Sequence, residues 1–287
     1  MIFELSDLRI FLAVAEEESI SRAAERLNYV QSNVSARVRN LEERLGVTLL
    51  NRQSRGVTLS PAGRVFHAYA IRILALAGEA ERMIQEKDAP AGTFMLGSLE
   101  TTAAVRLPAL LATYHRQWPQ VELQLRTGTT DELLNNVLNY RVDAAFVGGG
   151  IEHPDLVATL AFREELVMAA APETELTRTT PCNILVFRRG CSYRGRLEAW
   201  LREEGILPYR IMEFGSVDGI IGCVAAGMGI TVLPRSVFGS ARGVVLSPLP
   251  PHIAVIETML VRRRDAAPSR AVTALLELIA ATDHSPN

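Results

Sequence analysis

Hydrophobic side chains recur every three or four positions in three successive segments of residues 1–46, and this spacing predicts three short helices. The apolar stripe of the first predicted helix consists of Leu5, Leu8, Phe11, Leu12 and Ala15. Ser19 is the predicted N-cap of the second helix, whose alanine pair at positions 23 and 24 allows another helix to approach closely. The N-terminal region is therefore expected to be a small helical unit.

The third predicted helix, which begins near Gln31, has two chemically different faces. Steps of 100° per residue place Val38, Leu41 and Leu45 within about 40° of Val34, so that face is apolar. The opposite arc and its flanks carry short polar side chains and then charged ones: Ser32, Asn33, Ser35, Ala36, Arg37, Arg39, Asn40 and Glu43. Short polar side chains allow a helix to enter the major groove of DNA, and arginines bind phosphates or guanine edges. The pattern predicts a helix-turn-helix, although an amphipathic helix in a bundle separates its faces in the same way.

Two short extended segments follow the third helix and flank a basic turn that contains Arg52, Arg55 and Gly56. This arrangement predicts a wing, an element that commonly lies along a phosphate strand. The wing favours the helix-turn-helix over the bundle.

A single long helix is predicted for residues 61–88, with Ser60 as its N-cap and Pro61 in its first turn. Apolar side chains recur along it: Ala62, Val65, Tyr69, Ile73, Leu76, Ala80 and Met83. This apolar face is too wide to be stable in water without a partner. The same helix of a second subunit would pair two reading helices on DNA; packing on the chain's own C-terminal domain is the alternative. Residues 87–93 read as a linker.

Beyond residue 93, strand-like and helix-like segments alternate, which predicts a mostly parallel sheet covered on both faces. The alternation occurs in two sets. We expect one subdomain at about residues 93–160 and 265–287 and a second at about 161–264.

The net charge of −2 conceals a local contrast, because residues 19–60 contain seven arginines and three glutamates. Such a segment fits a phosphate-facing patch, and it is also typical of a solvated helix face. No apolar run approaches the roughly 18 residues of a bilayer crossing, and no signal peptide is evident, so we expect a cytoplasmic protein. The three cysteines lack CxxC spacing, and no metal site, cofactor or catalytic residue is predicted.

The segment FLAVAEEESISRAAERLNYVQSNVSARVRNLEERLGVTLLNRQSRGVTLSPAG resembles the N-terminal domain of LysR-type transcriptional regulators, and the resemblance extends over the whole chain. It implies an α+β multidomain fold: a winged helix-turn-helix at residues 1–60, a linker helix at 61–88, and at 93–287 an α/β effector domain similar to periplasmic binding proteins. From the pattern and the resemblance together, the predicted DNA-binding residues are Gln31, Ser32, Asn33, Ser35, Arg37, Arg39, Arg52 and Arg55. Two positions depart from the family pattern: Val30 replaces a frequent serine, and Ala36 replaces a frequent polar or basic residue.

Open α/β sheets bind ligands beyond the carboxyl ends of their strands, where helix N-termini offer N–H groups to an anion. The loops at 99–102, 128–130, 190–194 and 215–217 fit this location, and the resemblance implies that Thr101 and Thr129 contact the effector. The predicted effector-binding residues are Thr101, Thr102, Thr129, Gly148, Cys191, Ser192, Tyr193, Arg194 and Ser216. The hydroxyl residues among them are equally suited to serve only as helix caps. Tyr140 is a further departure from the family, which often has glycine there.

These features favour a regulator whose binding to double-stranded promoter DNA responds to a small, anionic effector. The expected assembly is a dimer or a dimer of dimers, and RNA polymerase is a further candidate partner. In an alternative, the trigger is oxidation of Cys191, because RGCSYRGRL resembles the loop of peroxide-sensing family members and Arg194 would favour a thiolate. Trp200 occupies the position where those members have the second cysteine. An enzyme is disfavoured, because none of the five histidines has a recognisable catalytic spacing.

Overall fold

The computed structural model describes residues 3–53, 56–85, 89–174, 182–239 and 241–281. The chain divides into two compact units, residues 1–85 and 86–287. Among the described residues, none of the helices combines the length and hydropathy that a bilayer crossing requires.

The first unit contains four helices and a two-stranded hairpin within its described residues. Its elements are α1 (Leu5–Glu17), α2 (Ile20–Leu27), α3 (Gln31–Leu45), β1 (Leu50–Gln53), β2 (Gly56–Leu59) and α4 (Pro61–Gln85). The predicted caps are confirmed: Ser19 Oγ accepts a hydrogen bond from Arg22 N at 3.3 Å, and Ser60 Oγ accepts one from Gly63 N at 2.8 Å. The apolar faces of α1 to α3 meet in one core that includes Phe11, Val34 and Val38.

The second unit alternates strands and helices as predicted. Its elements are β3 (Gly92–Ser98), α5 (Glu100–Val105), α6 (Leu107–Gln117), β4 (Val121–Thr127), α7 (Thr130–Leu138), β5 (Ala144–Gly148), β6 (Leu156–Ala170), β7 (Cys182–Phe187), α8 (Ser192–Glu203), β8 (Tyr209–Phe214), α9 (Val217–Ala225), β9 (Thr231–Pro234), β10 (Val245–Pro248), β11 (Val255–Arg263) and α10 (Arg270–Ala280). The sequence pattern did not indicate the short helix α5 or the strand β10.

The second unit contains a mixed seven-stranded sheet and a separate parallel sheet of β7 and β8, so the prediction of a mostly parallel sheet is only partly correct. Strand β3 pairs in parallel with β4 and β5, and β7 pairs in parallel with β8. Strand β11 lies antiparallel between β5 and β6, and β6 also pairs antiparallel with β9 and β10. The 15-residue strand β6 passes from the first half of the domain to the second, whereas the sequence pattern indicated only its last part.

The pairing of β11 changes the expected subdomain boundary. Residues 255–263 were expected in the second subdomain, but β11 forms a continuous ladder with β5 of the first one. Strands β6 and β11 therefore connect the two halves, and the cleft lies between those halves.

Tyr140, where the family often has glycine, adopts a backbone conformation that glycine favours. Tyr140 has φ 53°, a left-handed conformation that is uncommon for a residue with a side chain. Two contacts hold it: the Arg263 guanidinium lies 4.4 Å from the ring centroid, and Tyr140 Oη donates a hydrogen bond to Asp265 Oδ2 at 3.2 Å. These contacts offset the backbone strain.

Candidate nucleic-acid interface and ligand cleft

The outer face of α3 is exposed and polar. Gln31, Ser32, Asn33 and Arg39 are exposed, and Ser35 is half-buried. On the opposite face, Val34, Val38 and Leu41 are at most 1% exposed because they pack in the core of the first unit. The predicted separation of the two faces is therefore confirmed.

Helix α3 begins at Gln31 although its N-cap residue is Val30, which makes no capping hydrogen bond through its side chain. The Val30 side chain is 67% exposed, and its carbonyl oxygen accepts a hydrogen bond from Asn33 N at 3.0 Å. The N–H groups of the first turn, at the end of α3 that carries Gln31 and Ser32, therefore receive no hydrogen bond from a capping side chain.

Arg37 does not extend from the outer face, contrary to its predicted role as a DNA contact. Its Nε donates a hydrogen bond to Asp7 Oδ1 at 2.9 Å, and its Nη2 donates to Ser6 Oγ at 2.8 Å and Glu4 Oε2 at 3.3 Å. Two carboxylates at the start of α1 thus balance its charge. Arg37 anchors α3 to α1 instead of offering a free cation.

The wing is a two-stranded antiparallel hairpin in which Asn51 pairs with Thr58 and Arg52 with Val57. Arg52 is exposed, and its Nη2 lies 3.7 Å from Glu42 Oε2. The other oxygen of Glu42 accepts hydrogen bonds from the backbone N–H groups at the start of β1. Glu42 therefore fixes α3 to the wing and partly balances the charge of Arg52. Arg55 lies outside the described residues.

In the second unit, a small cavity of about 50 Å³ opens between the two subdomains. It is lined by residues that follow strands of both halves: Leu99, Glu100, Thr101, Thr127, Gly128, Thr129, Phe187, Arg188, Cys191, Tyr193, Phe214 and Gly215. All four of the predicted loops contribute to this wall. Phe187, Arg188 and Phe214 were not among the predicted residues, because their only signal in the sequence is their position at or next to the carboxyl ends of β7 and β8.

Two of the predicted residues form a hydrogen bond across the cleft. Thr101 Oγ1 and Tyr193 Oη are 3.1 Å apart and buried. Burial raises the pKa of Tyr193 well above its ordinary value, so the phenol keeps its proton. Thr102, the neighbouring predicted residue, is completely buried and does not line the cavity.

The helix starts around the cleft already have partners within the chain. Thr129 Oγ1 accepts a hydrogen bond from Glu132 N at 3.3 Å, and Glu132 Oε2 accepts one from Thr129 N at 2.9 Å. Ser216 Oγ accepts a hydrogen bond from Gly219 N at 3.2 Å, and Ser216 itself does not line the cavity. Thr129 and Ser216 are thus helix caps. The Thr129 hydroxyl borders the cavity as well and retains its proton as a donor.

The remaining predicted residues lie at a neighbouring depression of about 590 Å³, which Gly148, Ser192 and Arg194 help to line. A Cβ at position 148 would lie 2.5 Å from Ser192 Oγ, so only glycine permits this approach. Arg194 donates hydrogen bonds to Glu198 Oε1 at 2.7 Å and Glu213 Oε1 at 2.6 Å. Because two carboxylates balance its charge, Arg194 is not the free cation that the sequence suggested.

Cys191 borders both depressions but is only 7% exposed. Burial raises the pKa of its thiol, and this effect outweighs the backbone N–H groups of Tyr193 and Arg194, which favour the thiolate. A buried thiol with a raised pKa reacts slowly with peroxide. The structure therefore disfavours the oxidation-triggered alternative.

Peroxide is accordingly expected to leave promoter binding by the wild-type protein unchanged, because little thiolate is present at neutral pH. DNase footprinting with and without peroxide measures this. A peroxide-dependent footprint that disappears in Cys191→Ser would contradict the expectation, with Cys223→Ser as the control variant.

A winged helix-turn-helix with an exposed polar reading face and a two-subdomain unit with a cleft are the parts of a DNA-binding regulator that has a separate ligand-binding domain. Among the described residues, no group of three or more histidine, cysteine or carboxylate side chains could hold a metal ion.

Comparison with known proteins gives the family. Residues 5–64 match the bacterial regulatory helix-turn-helix protein family of lysR type, and residues 87–283 match the LysR substrate binding domain. The uncharacterized HTH-type transcriptional regulator YusT of Bacillus subtilis strain 168 is 45% identical over 283 residues, which cover 96% of this chain and 94% of YusT. The HTH-type transcriptional regulator GltR of the same strain is 43% identical over 276 residues, which cover 94% of this chain and 93% of GltR.

A solved structure of full-length CbnR complexed with target DNA has the same fold, with a TM-score of 0.65 at 23% identity over 97% of this chain and 99% of CbnR. The chain belongs to the LysR family of transcriptional regulators. It is a DNA-binding regulator with an N-terminal helix-turn-helix domain and a C-terminal effector-binding domain.

Proposed function

We propose that a small effector carrying a carboxylate or similar anionic group binds in the cavity between the subdomains and thereby changes promoter binding. The observation that carries this proposal is the cavity itself, which both halves line and to which Thr101 and Thr129 contribute. Hydroxyl donors in a partly enclosed cavity suit a small anion. Arg188 also lines this cavity, and the Glu132 carboxylate 3.6 Å away partly balances its charge.

An effector in this position would act on the relative placement of the two halves. Strand β6 crosses between them, and at the crossing Glu164 is almost completely buried. Glu164 accepts hydrogen bonds from Arg106 Nε at 3.3 Å and from Thr258 Oγ1 at 3.0 Å, which ties the end of α5 to both connecting strands. A ligand that prefers one arrangement of the halves shifts the population toward it, whereas equal affinity for both would shift nothing.

The proposed regulator is a dimer formed through α4. Val65, Tyr69 and Leu76 are 61%, 57% and 66% exposed, and their four- and seven-residue spacing places them on one side of the helix. The buried side of α4 contributes Ala70 to the core of the first unit. An exposed apolar stripe on a long helix favours pairing with an equivalent helix, and a dimer would present two reading helices to two half-sites.

A thermal-shift screen with small carboxylates tests the effector proposal. A compound that binds only the folded state raises the melting temperature as its concentration exceeds its dissociation constant. We expect at least one carboxylate to do so and to change the footprint on promoter DNA. Stabilisation that persists when the cavity residues are replaced would place the ligand elsewhere.

Arg52→Ala is expected to weaken binding to specific and nonspecific DNA alike and to reduce the salt slope of log K by about one unit, because one phosphate contact is lost. Fluorescence anisotropy across a salt series measures this slope. Arg9→Ala on α1 removes the same charge from an exposed position outside the helix-turn-helix pair and the wing and serves as the matched control. An unchanged slope in Arg52→Ala would remove this arginine from the interface.

A further inference from the structure

Glu100 occupies an unusual position in the cleft. It is the first residue of α5 in the first subdomain, and its Oε2 accepts a hydrogen bond at 3.2 Å from the backbone N–H of Val217, the first residue of α9 in the second subdomain. A carboxylate of the chain thus already occupies the place at the start of α9 that an anionic ligand would otherwise take.

The charge of Glu100 is not balanced by a cation. Among the described residues, no lysine, arginine or histidine forms an ion pair with it. Burial raises the pKa of Glu100, the nearby carboxylate of Asp218 raises it further, and the Val217 N–H opposes both effects. The α9 side of the cavity therefore carries uncompensated negative charge.

The charged side chain on the opposite side of the cavity is a cation. Glu100 and Arg188 are the charged residues among the described ones that line it. Arg188 Nη1 lies 3.6 Å from Glu132 Oε1 at the start of α7, which places this guanidinium beside the Thr129 cap. Glu132 partly balances its charge, and the exposed guanidinium keeps further N–H donors for a ligand. An acid next to α9 and a base next to α7 therefore line one small cavity, and Phe187 and Phe214 line it as well.

We propose that the effector is a zwitterion: a small molecule with a carboxylate directed toward Thr129 and Arg188 and an ammonium group directed toward Glu100. This inference rests on the proposed effector function and specifies its ligand class as small amino acids and related amino-carboxylates. The second carboxyl oxygen of Glu100 accepts from the ammonium, and the aromatic rings favour a cation as well. A ligand with anionic groups at both ends would have to displace Glu100 and lie close to Asp218.

The test compares each amino acid with the carboxylic acid that lacks its amino group, for example L-alanine with propionate and L-glutamate with glutarate. Full-length wild-type protein is titrated with each pair by calorimetry, after a thermal-shift screen of the twenty amino acids and their deaminated partners. We expect at least one amino acid to bind at least about tenfold more tightly than its partner acid.

Glu100→Gln provides the decisive variant, because the amide oxygen still accepts from Val217 N while the charge is removed. We expect it to reduce the preference for the amino acid by about tenfold or more. Glu152→Gln, which removes an exposed carboxylate in the same unit, should keep the full preference. Circular dichroism melting of both variants confirms that they are folded.

The possible failures are distinguishable. If deaminated acids bind as tightly as the amino acids, or if Glu100→Gln keeps the preference, the zwitterion inference is wrong and the carboxylate effector proposal stands. If no compound of either series binds, both proposals are contradicted.

Discussion

Replacing Leu76 with glutamate is expected to convert the dimer into monomers. Leu76 is 66% exposed on the apolar stripe of α4, so the change leaves the core of the first unit intact. In a symmetric pair of helices, the substitution would bury two carboxylates without partners, which lowers the stability of the dimer by several kcal/mol. Sedimentation velocity at micromolar protein concentration measures the loss of the dimer.

Loss of the dimer is also expected to weaken binding to DNA strongly. Two linked reading helices bind two half-sites with about 10²–10⁴-fold higher affinity than one helix binds one half-site. Leu76→Glu is therefore expected to lose affinity for a complete promoter site by this factor. Arg82→Gln makes the same change in net charge on the same helix, about 120° away from the stripe, and should retain both dimer and affinity. A Leu76→Glu protein that still sediments as a dimer would show that α4 is not the principal interface.

Thr101→Val and Thr129→Val are expected to weaken the response to the effector strongly while promoter binding without effector is retained. Valine keeps the shape of each side chain and removes its hydroxyl, which we propose donates a hydrogen bond to the ligand. Both residues lie in the second unit, whereas the reading helix and wing lie in the first. Electrophoretic mobility shifts across an effector titration measure the response, and we expect at least a tenfold higher effector requirement.

Each of these substitutions also removes a structural hydrogen bond, so a matched control is needed. Thr129→Val removes the N-cap of α7, a loss of about 1 kcal/mol. Ser269→Ala removes the N-cap of α10, where Ser269 Oγ accepts from Val272 N at 3.3 Å, and Ser269 does not line the cleft cavity. Ser269→Ala should lower the free energy of unfolding by a similar amount and retain the effector response. A normal response in both threonine variants would place the effector site elsewhere.

Sequence periodicity predicted the helices of the first unit and the separation of the two α3 faces well. Periodicity is a local property, and burial of Val34, Val38 and Leu41 follows from it once a core exists. Cap preferences are equally local, which explains the correct prediction of Ser19 and Ser60. The strand pattern was less informative at β6, where the part before Glu165 was missed because it carries no clear two-residue alternation.

The roles of individual charged residues were predicted less well. Arg37 is bonded to Asp7, 30 positions earlier, and Arg194 to Glu213, 19 positions later. A charge count along the sequence contains no information about such partners. Cys191 is a similar case, since its burial depends on packing from both halves of the cleft.

The sequence by itself determined the family, most of the order of the elements and the loops that form the cleft, because these depend on local spacing and on motifs. Only the tertiary structure decided which arginines are free, that Cys191 is buried, and that Glu100 bonds to Val217 across 117 positions of the chain. The physical reason is that the energy of a charge depends on its neighbours in space and on its access to water. Folding sets both by joining distant segments.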